Sequence, residues 1–129
     1  MNSRKTSAAE KKQSGKYNCA QSVVCTYCDI AGIDEATAMN VANAFGAGMG
    51  NMEGTCGALV GAGLTLGLYY KDKAKSMKKM RLIMEKFQQC NGATKCRLLK
   101  GINSGKVLRE CSDCVADAAE FLEEVISQD

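Results

Sequence analysis

The fold of this chain is decided by residues 54–67, which read GTCGALVGAGLTLG. The apolar residues of this stretch predict a central helix. Gly57 and Gly61 lie one turn apart on it and form a seam where the backbone of another helix can approach closely. Cys56 follows a glycine-rich loop, residues 46–55, and stands where the helix begins.

A cysteine at the start of a helix is a candidate for chemistry. The first helical turn has unpaired N–H groups and a partial positive charge, and both lower the pKa of a nearby thiol. Cys56 is therefore a candidate reactive or metal-binding thiolate. The alternative is that Cys56 serves as a small apolar side chain in a buried helix. This stretch alone leaves both interpretations open.

The composition restricts the chemistry that the chain can use. Its 129 residues are enough for one domain with its own hydrophobic core. The chain has eight cysteines but no histidine, proline or tryptophan. Without histidine it lacks the commonest general base and cannot form a mixed Cys/His zinc site, so a metal must be bound mainly by thiolates. Whether the protein is an enzyme stays open, because no acid–base pair is evident.

The N-terminal residues 1–16 are polar and basic and lack the apolar core of a signal peptide. We expect a flexible arm, or a frayed helix, ahead of a single cysteine-rich domain at residues 17–129. The longest apolar run, residues 56–70, is shorter than the roughly 20 residues that a membrane span needs. We therefore expect a cytoplasmic protein with reduced thiols and no membrane insertion. Its oligomeric state is open, with a homodimer among the options.

The pattern of apolar residues indicates helices throughout. The lack of proline and the 3.6-residue periodicity predict an all-helical fold, a compact bundle of about five helices. The predicted helices cover residues 17–31, 35–45, 56–70, 71–90 and 112–126, with a short helical turn at 94–100. The helix at 71–90 carries a stripe that we interpret as core packing, formed by Met77, Met80, Met84 and Phe87.

Two classes of ligand are disfavoured. The glycine-rich loop lacks the lysine and the serine or threonine of a P-loop, so we do not expect a nucleotide there. The net charge of +3 is modest, and few aromatic residues lie among the basic ones. This composition argues against a nucleic-acid partner.

Two Cys-x-x-Cys pairs are present, Cys25/Cys28 and Cys111/Cys114. Two such pairs together are typical of a zinc ribbon, but here they lie more than eighty residues apart, and the first falls within a helical pattern. Cys111/Cys114 is the better redox candidate because it stands near the start of the last predicted helix. With the helix cap at Ser112 or the next residue, Cys114 falls in the first turn.

Four short motifs occur in a fixed order: NCAQ at residues 18–21, CGALVG at 56–61, CRLL at 96–99 and CVADAA at 114–119. Over residues 17–127 the chain resembles the C-GCAxxG-C-C family of putative redox-active proteins, although Thr55 stands where glycine is common. Carried over by position, the four cysteines of the family are Cys19, Cys56, Cys96 and Cys114. The resemblance implies a helical domain in which these four thiolates converge on an iron–sulfur cluster, with [2Fe-2S] favoured.

The resemblance therefore implies electron transfer through the cluster to an unknown redox partner protein. Two alternatives stay open. One is a metal-free thiol–disulfide redox protein in which Cys56 or Cys114 attacks, and the other is a zinc-stabilised helical interaction module. The cysteines outside the family set are additional candidates for redox or metal chemistry, or for packing: Cys25, Cys28, Cys90 and Cys111.

Overall fold

A computed structural model describes residues 3–102 and 104–129. These residues form helices and loops, and their only strand-like pairing is one isolated bridge. The helices are α1 (Lys5–Gln13), α2 (Cys19–Thr26), α3 (Cys28–Ala31), α4 (Glu35–Val41), α5 (Gly57–Tyr70), α6 (Lys73–Asn91), α7 (Cys96–Lys100) and α8 (Cys111–Ser127). The predicted all-helical fold is confirmed. In the part of the chain described, no helix is both long enough and apolar enough to cross a membrane.

The central helix is α5, and its small residues let it pack closely on α2. A methyl group added to Gly57 would lie 2.6 Å from the carbonyl oxygen of Phe45. One added to Gly61 would lie 2.7 Å from the carbonyl oxygen of Ala20. Neither methyl group fits without moving the backbone, because protein interiors are close-packed. These two glycines therefore set the distance between α5 and α2.

The core lies between α2, α5, α6 and α8. Its largest fully buried side chains include Tyr27, Leu59, Phe87 and Leu122. Burying each such side chain stabilises the fold by about 1.5–3 kcal/mol before packing and entropy are considered. The hydroxyl of Tyr27 donates a hydrogen bond to the buried carboxylate of Glu123, so this polar group is satisfied within the core.

The predicted helix over residues 17–31 is two helices, α2 and α3. The break falls at Tyr27, whose φ of −113° and ψ of 18° are not helical. The side chain of Tyr27 is fully buried against α8 and is bonded to Glu123 there. Because this contact is between residues far apart in sequence, local periodicity does not reveal it.

Of the two options for the N-terminal segment, a flexible arm or a frayed helix, the structure has a helix from Lys5 to Gln13, which packs against α8. Ala8 is fully buried. The guanidinium of Arg4 donates two hydrogen bonds to the carboxylate of Asp29, at 2.7 and 3.0 Å, and another to the carbonyl of Thr26. A single small buried residue gives no apolar periodicity, so the sequence pattern does not predict a stable helix here. The first two residues of the expected arm lie outside the described residues.

Of the predicted methionine stripe on α6, only Phe87 is fully buried, and Met77 is 55% exposed. The interpretation of this stripe as core packing is therefore wrong for Met77. The buried row runs through Lys79, Ile83 and Phe87, which are four residues apart. Lys79 can be buried because its amino group donates a 2.8 Å hydrogen bond to the carbonyl of Val125. Because lysine is rarely buried, the pattern of apolar residues in the sequence does not reveal this buried row.

Candidate thiol site

A cavity of about 370 Å³ opens at the end of the bundle where α5 and α8 begin. Five of the eight cysteines line it: Cys19, Cys56, Cys96, Cys111 and Cys114. They come from α2, from the residue before α5, from α7 and from α8. The four cysteines in the motif positions therefore share one cavity, together with Cys111.

Cys19 is placed by the start of α2. The side chain of Asn18 accepts a 2.7 Å hydrogen bond from the backbone N–H of Gln21, whose own side chain accepts one of 2.9 Å from Asn18. This reciprocal cap fixes where the helix begins. A methyl group on Gly57 would lie 3.2 Å from Cβ of Cys19, so the absence of a side chain on Gly57 leaves room for this cysteine.

Cys56 and Cys96 are held near each other by the backbone. The N–H of Cys56 donates a 2.8 Å hydrogen bond to the carbonyl of Thr94, and the N–H of Cys96 donates one of 3.0 Å to the carbonyl of Gly54. These bonds flank the isolated bridge between the two segments. The separation of the two cysteines is therefore set by main-chain pairing and not by side-chain packing.

The glycine-rich loop packs against Cys96. A methyl group on Gly48 would lie 2.4 Å from Cβ of Cys96, and Gly48 has a φ of +56°. Ala47, Met49 and Met52 also lie in the left-handed region, with φ between 49° and 68°. Such conformations are unfavourable for residues other than glycine, so the surrounding contacts must hold the loop in this shape. The loop thus forms a fitted wall beside one motif cysteine.

Four of the five cavity thiols interact in two pairs, Cys19 with Cys111 and Cys56 with Cys114. The hydrogen bond within each pair raises the pKa of Cys19 and of Cys114 and lowers that of Cys111 and of Cys56, and burial raises the pKa of Cys19 and Cys114 further. The sulfurs of Cys56 and Cys111 are therefore the favoured thiolates of the cavity.

The pKa values of Cys111 and Cys56 are both lowered, and beyond the hydrogen bond each has its own cause. The pKa of Cys111 falls to about 6, first because of the Cys19 hydrogen bond and then because of the positive charges of Lys100 and Lys12, against the effect of burial. The pKa of Cys56 is lowered by its bond to Cys114 and by backbone N–H groups at the start of α5. The direction at Cys56 is the one that its position at a helix start predicts.

The expected position of Cys114 in the first helical turn is wrong. The N-cap of α8 is Glu110, so Cys111 takes the first position and Cys114 lies one turn further in. Cys114 is 2% exposed, and its thiol donates a 3.9 Å hydrogen bond to the carbonyl of Arg109. Its pKa is raised, chiefly by its hydrogen bond with Cys56 and then by burial. The two cysteines of this Cys-x-x-Cys pair are free thiols, and each contacts a cysteine of another element.

Three basic side chains line the same cavity, those of Lys12, Lys100 and Arg109. Lys12 comes from α1, the segment expected to be flexible. The guanidinium of Arg109 is held by two hydrogen bonds of 3.0 Å to the carboxylate of Asp117. Isolated basic residues carry no motif, so the sequence alone does not mark these three as site residues. Their charge makes the cavity favourable for an anion.

The cysteine positions agree with one family comparison. The model of the family described as "putative redox-active protein (C_GCAxxG_C_C)" matches residues 17–125. The chain belongs to this family. The resemblance predicted from the four motifs is confirmed, and with it the coarse description of a redox-active protein. No curated protein matches the chain, and no solved structure does.

The remaining cysteines of this family member lie away from the cavity. Cys25 is buried beside Ala38 and Ala42, and burial raises its pKa to about 11. Cys28 is half-buried at the edge of the same cluster, and Cys90 is exposed near the end of α6. The structure therefore separates the four additional cysteines: Cys111 joins the cavity and the other three do not.

The arrangement of donors bears on which metal group could fit this member of the family. Within residues 3–102 and 104–129, no three cysteine, aspartate or glutamate side chains form a ready site for one metal ion. Four of the five cavity thiols lie in pairs, whereas a single tetrahedral zinc ion needs four ligands around one centre. The donors are thiols alone, and soft thiolates are the ligands of iron–sulfur clusters. The chemistry of the donor set fits a cluster.

Proposed function

We propose that the cavity is the redox centre of this protein and binds an iron–sulfur cluster, with [2Fe-2S] favoured. The ligands we propose are the four motif cysteines, Cys19, Cys56, Cys96 and Cys114. One observation carries the proposal: these four residues come from separate elements of the fold and line the same cavity. Packing alone does not require such convergence, since Cys25 packs among alanines elsewhere.

The surroundings of the thiols support this proposal. A cluster bound by four thiolates carries negative charge, and Lys12 and Lys100 lie at the cavity where their charges would offset it. The four proposed ligands are buried, so their thiolates would be shielded from water. When bound, a [2Fe-2S] cluster supplies one-electron transfer. We therefore expect a redox partner protein and a reducing, cytosolic setting.

The test is metal and sulfide analysis of the full-length protein purified without oxygen. We expect a coloured protein with about two irons and two acid-labile sulfides per chain. Cys96→Ser should lower the iron content to about a tenth or less, because it removes one ligand. The matched control is Cys90→Ser, whose thiol is exposed and outside the cavity; it should leave the iron content unchanged.

The same analysis separates the alternatives. Stoichiometric zinc without sulfide would replace the proposal with a zinc-stabilised module. Protein that is colourless after incubation with ferrous iron and sulfide, and that contains neither metal, would contradict cluster binding and favour metal-free thiol chemistry. Equal iron loss in Cys96→Ser and Cys90→Ser would contradict the proposed ligand set.

A further inference from the structure

Cys111 is the one of the five cavity cysteines that the proposed cluster does not use. It nevertheless lines the same cavity as Cys19 and forms a hydrogen bond with that cysteine. Cys111 is half-buried, whereas the other four cavity cysteines are at most 7% exposed. It is therefore the cavity thiol that a reagent from solvent reaches first, and it already touches a motif cysteine.

We propose that Cys111 and Cys19 form a reversible disulfide in the metal-free protein by exchange with a low-molecular-weight disulfide of the glutathione type. The motif cysteines then have a second redox chemistry, a two-electron couple, that does not require the cluster. The pairing joins α2 to α8, which pack against each other, so the disulfide would link two neighbouring helices. The proposal does not depend on cluster binding, because the exchange takes place between these two cysteines in the metal-free chain.

The exchange proceeds in two displacements. The thiolate of Cys111 attacks one sulfur of the small disulfide, whose S–S bond breaks, and one small thiolate leaves. A mixed disulfide remains on Cys111. The sulfur of Cys19 then loses its proton and attacks the sulfur of Cys111, and the second small thiolate leaves. In total, two protein thiols are oxidised to one disulfide, one small disulfide is reduced, and the two thiol protons end on two small thiols.

The surroundings assign the two roles. Cys111 occupies the first position of α8, a helix of 17 residues, and Lys12 and Lys100 share its cavity. Helix N-terminus and positive charge both stabilise a thiolate, and the lysines also attract an anionic small disulfide. Cys19 is more deeply buried, so it is suited to resolve the mixed disulfide from inside. Cys114, the other candidate partner by sequence, lies against Cys56 and the carbonyl of Arg109 instead.

The test treats the reduced, metal-free full-length chain with oxidised glutathione, blocks the remaining thiols and maps disulfides by mass spectrometry. Trypsin leaves Cys19 and Cys111 on different peptides, residues 17–71 and 110–129, and fragmentation then identifies the linked cysteines. We expect a Cys19–Cys111 disulfide as the first product, with two reduced glutathione molecules released for each one formed. Cys19→Ser should stop at a glutathione adduct on Cys111.

Cys111→Ser should lower the initial rate of glutathione release at least about tenfold. The matched control is Cys28→Ser, since Cys28 is also half-buried and also begins a helix but lies outside the cavity; its rate should equal that of the unsubstituted chain. A first disulfide that joins any other two cysteines would overturn the proposal. So would an unchanged rate in Cys111→Ser, or the absence of an adduct on Cys111 in Cys19→Ser.

This outcome is separable from the fate of the cluster proposal. Iron and sulfide analysis reports on the cluster, whereas disulfide mapping reports on the pair. Protein that takes up no iron from ferrous iron and sulfide but forms the Cys19–Cys111 bond would overturn cluster binding and support the exchange. Iron-bearing protein whose metal-free form never links these cysteines would overturn the exchange alone.

Discussion

The two Cys-x-x-Cys pairs have the same spacing and different surroundings. Cys25 and Cys28 lie on either side of the break between α2 and α3. Cys25 belongs to a small buried apolar cluster, and Cys28 packs at the edge of that cluster. Cys111 and Cys114 lie in the first turns of α8, and both line the cavity. The difference is one of partners: the second pair meets basic side chains and thiols from other elements. Spacing alone therefore does not define the site in this chain.

The largest expected contrast is in thiol reactivity. In reduced, metal-free protein, alkylation of Cys111 should be half-maximal near its pKa of about 6, because the thiolate exists above that pH. Cys25 has a pKa of about 11, so little thiolate forms at neutral pH. At pH 7 we expect Cys111 to react about a thousandfold faster or more. Peptide mass spectrometry over a pH series measures both rates, and matching pH profiles would remove the contrast.

The next contrast is in metal binding. Cys114→Ser removes a proposed ligand and should weaken iron binding at least about a hundredfold, since loss of a supporting residue alone typically costs 10–100-fold. Cys28→Ser changes the corresponding cysteine of the other pair and should leave the affinity unchanged, because Cys28 lies outside the cavity. Iron titration of both variants gives the comparison. Similar losses in both would mean that the first pair also serves the metal.

A smaller effect is expected at the contact between α5 and α2. Gly61 of α5 lies against Ala20 and Val23 of α2, and these two residues lie between Cys19 and Cys25 in the sequence. Gly61→Ala should lower the free energy of unfolding by about 2 kcal/mol because the methyl group cannot be accommodated. Gly63→Ala is the control: its methyl group would meet only the sulfur of Met80 at 3.5 Å. It should stabilise the helix by about 0.5–1 kcal/mol.

Urea denaturation of the two glycine variants measures this difference. If Gly61→Ala unfolds at the same urea concentration as the unsubstituted protein, then the seam between α5 and α2 is looser than the distances indicate. Cys19 would in that case need another anchor, and its placement in the cavity would no longer follow from the glycine seam.

The smallest contrast concerns the arginine–aspartate bridge beside each pair. Both bridges are doubly hydrogen-bonded, but the carboxylate of Asp117 is 15% exposed and that of Asp29 is 60% exposed. Asp117→Asn should lower the free energy of unfolding by about 1 kcal/mol, and Asp29→Asn by about 0.3 kcal/mol. Added salt should shrink the Asp29 effect more. A larger loss of stability in Asp29→Asn than in Asp117→Asn would show that exposure does not determine how much each bridge stabilises the protein.

Much of the fold can be predicted because it rests on local patterns. The ends of α5 and α6 lie within two residues of the predictions, since the glycine-rich loop marks the start of α5, the charged residues after Tyr70 mark its end, and the asparagine–glycine stop marks the end of α6. The break at Tyr27 was missed because it coincides with a contact to Glu123, 96 residues away. The sequence leaves an arm and a frayed helix open at α1, because the buried face of this helix is a single alanine.

The site was only partly predictable. The four motif positions identify Cys19, Cys56, Cys96 and Cys114 without any geometry, and the structure brings them to one cavity. The pairing of Cys19 with Cys111 could not be found from the sequence, because it depends on how α2 meets α8. The basic residues of the cavity had no signal either, and Lys12 lies outside the matched residues of the family.

The backbone pairing beside the cavity has a practical consequence. The amide hydrogens of Cys56 and Cys96 are themselves the donors of the two bonds that join their segments. The rate at which these two amide hydrogens exchange with heavy water therefore reports how often the two segments separate. A ligand that bridges both sulfurs should slow exchange at these two amides together, so occupancy of the cavity can be followed without any chromophore.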